Sequence, residues 1–282
     1  MTLRPEEVTL RSFDRSEDYH ACVELQKIIW GHDFSDVTPA SVLKISQKVG
    51  SVAAGAFAPD GQILGFVWGL TGVRDGRPFH WSHMLGVHPD ARDLRLGTRL
   101  KLLQRELLLP LGVEDVEWTY DPLEARNAHL NLNHLGGEVV EYVEDMYAGE
   151  MGSDLARGIG TDRFIVRWRI TSERVAAALS GTLPNESARF AGTPILGLEA
   201  AEKGSALPDA PRVRVEIPAN IQEVKAERPD EAPVWRQSTR RAIQHYFGRG
   251  YRVTAYLREG DCRLYGLEEP SRKASSANFH GE

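Results

Sequence analysis

Three short stretches hold residues whose types and spacing can do chemistry. The first, "FHWSHMLGV" at 79–87, places His83 four residues before Val87 near the end of an apolar run. An imidazole titrates near neutrality, so His83 suits general acid–base chemistry. His80 and His88 are weaker candidates: alternation puts His80 on the other strand face, and His88 stands where the next loop begins. The second stretch, "RDLRLG" at 92–97, precedes a leucine-rich helix. A helix start leaves about four N–H groups unpaired and carries roughly half a positive charge. The amides of Arg95, Leu96, Gly97 and Thr98 can therefore hold a phosphate, and Arg92 and Arg95 can add charge-assisted bonds. The third, "WTYDPLEARNAHLNLNHLGG" at 118–137, sets Asn127 and Asn131 one helical turn apart, with carboxamides matched to the amides of a ligand. Each stretch also has a plain structural reading: a hydrogen-bonded strand histidine, a turn with solvated arginines, capping asparagines.

The elements that must position these residues follow from periodicity. "VTLRSF" at 8–13 alternates as a half-buried strand, and "SEDYHACVELQKIIW" puts Tyr19, Cys22, Val23, Ile29 and Trp30 on one helical face closed by Gly31. "PASVLKISQKVG" is a second helix, with proline in its first turn. Three strands follow, the first two joined by Asp60-Gly61, a hairpin signal. A helix over about 93–109 aligns Leu96, Leu100, Leu103 and Leu107. "VEWTYD", a helix through "LEARNAHLNLNHLGG", "EVVEYVEDMY" and "DRFIVRWRI" complete the order β-α-α-β-β-β-α-β-α-β-β. Hairpin strands followed by βαβ units predict an α/β (α+β) fold, a mixed sheet covered by helices, over residues 1–170. Residues 171–210 loosen into a helix and a Gly/Pro/Ala/Ser-rich linker. "RVRVEIP", the helix in "EAPVWRQSTRRAIQHYFGRG", "YRVTAYLRE" and "DCRLYGLE" predict a smaller β-α-β-β unit over 211–270, packed on the first domain. "RQSTRR" reads as a solvated helix face, and 271–282 as a disordered tail.

Composition bounds the function. With 34 basic and 40 acidic side chains among 282 residues, the net charge of −6 argues against a general nucleic-acid binder. Cys22 and Cys262 show no metal-ligand or CxxC spacing, which favours two free thiols in a reducing cytoplasm. No apolar run approaches a membrane span, and "MTLRPEEVTL" lacks a signal-peptide core. The expectation is a cytoplasmic protein with no nucleic acid, no membrane, no metal, and a possible homodimer.

Together the stretches resemble the GNAT superfamily of N-acetyltransferases. Its cofactor signature, Gln/Arg-x-x-Gly-x-Gly/Ala between the fourth strand and third helix, is matched by Arg92 to Gly97. The departure is at Arg95, where the family has its first glycine. "LKLLQRE", "WTYDPL", "NAHLNLNHLGG" and "TDRFIVRW" further resemble a predicted acyltransferase subfamily over roughly residues 8–170. The resemblance implies acyl transfer from acetyl-CoA or another acyl-CoA to an amine. It implies that the strand holding Leu85 and Val87 splays from its neighbour and pairs with the pantetheine arm, the N–H near Leu85 polarising the thioester. It places acceptor recognition near Asp162 and Arg163, whose fork can clamp a carboxylate, and Tyr120 and Tyr147 join Arg163 as expected substrate-binding residues. Many family members carry an acid tyrosine four residues before the closing glycine. Here that count reaches Asn133 or Leu132, with Tyr120, Tyr142, Tyr147 or water as substitutes. The expected reaction is direct attack by an amino acid or similar small amine, on an acetyl or succinyl thioester. The alternatives are a non-catalytic acyl-CoA sensor and acylation of a protein N-terminus or lysine.

Overall fold

The computed structural model describes residues 3–147, 155, 157–201 and 206–270; the expected tail at 271–282 lies outside the described residues. Seven strands form the first sheet: β1 (Thr9–Ser12), β2 (Val52–Phe57), β3 (Ile63–Arg74), β4 (Arg77–Val87), β5 (Asp115–Tyr120), β6 (Glu138–Val143) and β7 (Arg163–Arg169). Their order is β1-β2-β3-β4-β5-β7-β6, and every pair is antiparallel except β4 with β5. The Asp60-Gly61 turn joins β2 to β3 as its chemistry requires: Gly61 has φ 89°, and the Asp60 carboxylate accepts from Gln62 N–H at 3.0 Å.

Helices cover both faces. α1 (Ser16–Trp30) and α2 (Ala40–Lys48) bury Cys22, Leu25 and Leu43 against Phe66, Trp68 and Met84. On the other face α3 (Leu96–Leu108) packs Leu96, Leu100 and Leu108 with Leu64 and Val67. A short helix, α4 (Ala125–Ala128), continues as a π-helix over His129–His134. The sequence predicts one regular helix there. The structure instead widens the turn, with Leu135 N–H bonded to Leu130 C=O at 2.9 Å.

Beyond β7 the chain holds more structure than the expected helix and linker. α5 (Glu173–Leu179) and α6 (Ser187–Phe190) are followed by β8 (Ile195–Leu196), which pairs in parallel with β9 (Arg212–Ile217). α7 (Ile221–Glu227), α8 (Glu231–Gly248), β10 (Arg252–Glu259) and β11 (Cys262–Glu268) complete a second sheet of order β10-β11-β9-β8. Phe190 and Leu196 explain the difference: both are buried, so this segment pins itself to the second sheet.

One apolar core joins the two sheets. Phe164 of β7 stacks on Phe247 of α8 at 6.1 Å between ring centroids and meets Tyr265 of β11 edge-on at 5.3 Å. "RQSTRR" is therefore not a solvated face. Arg236 Nη2 donates to Asp121 at 2.6 Å, Arg240 Nη2 to Asp162 at 2.6 Å, and Arg241 Nη1 to the Ala200 carbonyl at 2.7 Å. Burial disfavours ionising Asp162, but the bonds from Arg240 and Tyr142 prevail and hold its carboxyl below the usual range. Among the described residues no helix is long and apolar enough to cross a membrane.

Candidate active site

β4 and β5 pair only over Phe79–Trp81 with Asp115–Glu117; beyond that point they part. His88 N–H donates to Leu64 C=O of β3 at 2.8 Å. Backbone groups alternate along a strand, so Met84 and Gly86 also face β3. Leu85 and Val87 then turn their N–H and C=O groups toward the gap. A β-bulge lies at the point of divergence. Trp68 is opposite Met84 but Leu70 is opposite Trp81, so Ser82 and His83 together oppose Gly69. A Cβ at Gly69 would lie 2.4 Å from both His80 Nε2 and the Trp81 carbonyl, so only glycine fits. Such bulges bend a strand and increase its twist. The strand glycine in "VWGLTG" was the available signal.

The bulge separates three neighbouring side chains. His83 stands exposed against the edge of Trp68, ring centroids 5.2 Å apart. The packing around it lowers its imidazole pKa from the ordinary value, while the Asp36 carboxylate pulls the other way. Ser82 faces α3, where its Oγ accepts from Lys101 Nζ at 2.7 Å. His80 is fully buried on that side, and burial, with the Lys101 charge adding, pushes its pKa down to about 3. Lys101 Nζ also donates to Gln104 Oε1 at 3.1 Å. The Gln104 amide nitrogen therefore donates to His80 Nε2 at 3.0 Å, and His80 Nδ1–H donates to Thr71 at 2.9 Å. His88 accepts Asp90 N–H at 3.3 Å in the Pro89–Leu94 turn. Of the three histidines, His83 alone stands open to the site with no hydrogen bond to a described residue.

The start of α3 lies beside the gap. Arg95 occupies the left-handed region at φ 53°, ψ 28° and caps the helix with backbone only; its side chain is exposed. Arg99 N–H bonds to the Arg95 carbonyl, so the Leu96, Gly97 and Thr98 amides precede the first helical bond, and no side chain caps them. The Arg92 side chain lies outside the described residues. A Cβ at Gly97 would sit 3.7 Å from both Leu85 and Leu130, ordinary contact distance. The gap edge, the helix start and the π-helix therefore meet at one glycine. Leu96 itself is buried and contributes only backbone.

The opposite wall is mixed. Asn127 is exposed, without a hydrogen bond to a described residue, whereas Asn131 is buried. Asn133, one of the two residues reached by the count for the acid tyrosine, donates to the Tyr256 carbonyl of β10 at 3.1 Å and ties the two sheets together. Two of the substitute tyrosines are also committed. Tyr142 donates to Asp162, and Tyr120, expected to bind substrate, is buried with its hydroxyl on Tyr265 at 3.3 Å. Tyr120 is corrected to a core residue, because the second sheet covers it. Tyr147 lies within 3.2 Å of Thr119 Oγ1, and the Arg163 guanidinium is 5.5 Å from its ring centroid and 3.5 Å from Asp121. Asp121 also accepts Leu123 N–H at 2.8 Å, the structural role its Asp-Pro context suggests. Tyr147 and Arg163 thus form one polar wall. Thr119 beside it is half-buried.

A mixed, mostly antiparallel sheet whose one parallel pair opens beside an uncapped helix start is the architecture the GNAT resemblance implies. Neither protein-family models nor curated proteins give a match to the sequence. Among solved structures, an aminoglycoside 6′-acetyltransferase type Ii is similar at 16% identity and TM-score 0.46, over 58% of this chain and 99% of that one. An acetyltransferase of GNAT family from Streptococcus pneumoniae is similar at 15% identity and TM-score 0.46, over 57% of this chain and 98% of that one.

Proposed function

We propose that this chain is an acyl-CoA-dependent N-acyltransferase acting on an amino acid or a similar small amine. The observation that carries the reading is the parting of β4 from β5 past Trp81 beside the uncapped start of α3. The pyrophosphate of CoA would accept from the Leu96, Gly97 and Thr98 amides, with Arg95 and Arg92 adding charge. The pantetheine arm would add to the open edge of β4 at Leu85 and Val87, and Asn127 and Asn131 would serve its amides from the other side. The Leu85 N–H would then polarise the thioester carbonyl.

His83 would take a proton from the acceptor ammonium, directly or through water, and the freed amine would attack the thioester carbon. The C–N bond forms and the C–S bond breaks, the attacking nitrogen gives up its second proton to water, and the thiolate takes a proton from water or Tyr147. Arg163 and Tyr147 would orient the acceptor, with the guanidinium toward a carboxylate. A second reading, a non-catalytic acyl-CoA sensor, draws on Asn133, whose carboxamide is held by Tyr256 where the family has an acid.

A panel of amines incubated with acetyl- and succinyl-CoA, read by release of free thiol, tests both readings. Amine-dependent release with either thioester supports the transferase. Binding of CoA without release leaves the sensor, and no binding at millimolar CoA removes both.

A further inference from the structure

The second sheet carries a cationic cluster that the proposed chemistry does not use. Arg258 of β10 and Arg263 of β11 are directly opposed in register. Like charges in that relation repel. Arg263 Nη1 donates to the Gly260 and Cys262 carbonyls at 3.0 and 2.9 Å, and neither arginine pairs with a carboxylate among the described residues. The adjacent acid, Glu259, is taken by Arg214 at 2.7 Å.

Two positions toward the strand centre, and so on the same sheet face as the arginines, Tyr256 opposes Tyr265. The Tyr256 ring lies 6.0 Å from that of His129, and His129 meets His134 at 4.5 Å. The charges felt by His129 are cationic throughout: after burial, the lowering of its pKa to about 4 comes from His134, Arg258 and Arg263. Its Nδ1 is buried with no hydrogen-bond partner among the described residues. Arg126, exposed and three residues earlier, is a neighbour on the same helix. Arg258, Arg263 and two imidazoles are thus gathered, with Arg126 on the same helix as His129, and none of the three arginines pairs with a carboxylate among the described residues. Leu130, next in sequence to His129, touches the Gly97 position at the start of α3. The helix that carries Arg126 and His129 therefore also walls the α3 start.

We propose that Arg258, Arg263 and Arg126 hold a phosphomonoester, the 3′-phosphate of CoA, so that the second sheet completes the cofactor site. This rests on the acyl-CoA reading above. CoA carries two kinds of phosphate, a pyrophosphate suited to helix amides and a terminal monoester that is close to dianionic at neutral pH. Arginine forks bind such a dianion in bidentate fashion. A monoester between Arg258 and Arg263 would turn their mutual repulsion into attraction.

Calorimetric titration of the full-length protein with CoA and with 3′-dephospho-CoA tests this. The wild type should prefer CoA by roughly 10–100-fold, on the scale of one or two charge-assisted bonds lost. Arg258→Gln/Arg263→Gln should lose that preference and keep its affinity for dephospho-CoA, with an unchanged or raised melting temperature because the repulsion is gone. Arg126→Gln, on an exposed helix position, should lose part of the preference and guards against misfolding of the hairpin variant. A double variant that keeps the full preference, or a wild type that has none, overturns the proposal while leaving the acyl-CoA reading intact. Absence of binding by either nucleotide overturns both.

Discussion

Lys101 Nζ lies 2.7 Å from Ser82 Oγ, one residue before His83 and at the point where β4 and β5 part. The amine also sits 3.7 Å from the Trp118 ring centroid, and burial pushes its pKa far below that of an ordinary lysine. No carboxylate faces it among its described hydrogen-bond partners, which are Ser82 and Gln104. A buried polar chain of this kind fixes geometry only when every member is satisfied. It holds Ser82 on the α3 side of the bulge and so leaves His83 on the other.

Ser82→Ala should therefore cost about 1–3 kcal/mol, the usual price of a buried donor left short of a partner. Lys101→Met should also destabilise, but the double variant should cost less than the two single changes together. Urea denaturation of the four proteins gives the coupling; additivity within about 0.5 kcal/mol would mean that the contact fixes nothing.

His83 carries the pH prediction. Its pKa is lowered in the folded protein, so the neutral, base-competent imidazole persists to lower pH than an unperturbed one. The acid limb of kcat/KM should fall below pH 6.5, the ordinary histidine value. Asp36 is the charge that raises this pKa, so Asp36→Asn should move the limb lower still. A limb that moves upward contradicts the assignment. His83→Ala should reduce turnover by roughly 10²–10⁴-fold without loss of CoA binding.

His80 predicts a stability effect of its own. Its pKa is depressed to about 3, so between that value and about 6.5 the unfolded chain binds a proton that the native protein does not. Stability contributed by the buried neutral ring is complete above about pH 6.5 and declines as pH falls toward 3. At pH 5 the loss should be about 2 kcal/mol. His80→Gln should flatten that part of the pH–stability curve relative to wild type; parallel curves would show that His80 does not cause it.

Arg95 occupies a left-handed conformation in which a side chain costs roughly 1–2 kcal/mol. Glycine removes that strain but gives up about 0.5–1 kcal/mol to its greater freedom in the unfolded chain. Arg95→Gly should thus gain about 0.5 kcal/mol, and Arg95→Ala, which keeps the strain, should gain nothing. Chemical denaturation distinguishes them. Equal stabilities would place the strain elsewhere.

Phe164 predicts how far the first sheet depends on the second. It is fully buried between Phe247, Tyr265 and Tyr142. Phe164→Ala should cost about 3–5 kcal/mol. A fragment ending at residue 175 exposes Phe164 and Tyr120 and leaves Asp162 without Arg240, so it should melt far lower or aggregate. A monomeric fragment that melts like the whole chain would show the second sheet to be dispensable for stability.

What the sequence determined by itself was local. Alternation in β1 and β7, the strand-like runs of β2–β4, the leucine stripe of α3 and the Asp60-Gly61 turn specify elements through neighbours a few residues apart. The helix start at "RDLRLG" was legible for the same reason: unpaired amides are a property of any helix end. The bulge at Ser82–His83 was not, since it depends on Gly69 of another strand making room for His80. Nor was the place of Tyr120, because its burial is decided by Tyr265, 145 residues away. "RQSTRR" looked solvated because charge pattern alone cannot show that Asp121 and Asp162 wait across the interface. Only the tertiary structure brings such partners together, and a polar side chain's role follows from the partner that balances its desolvation.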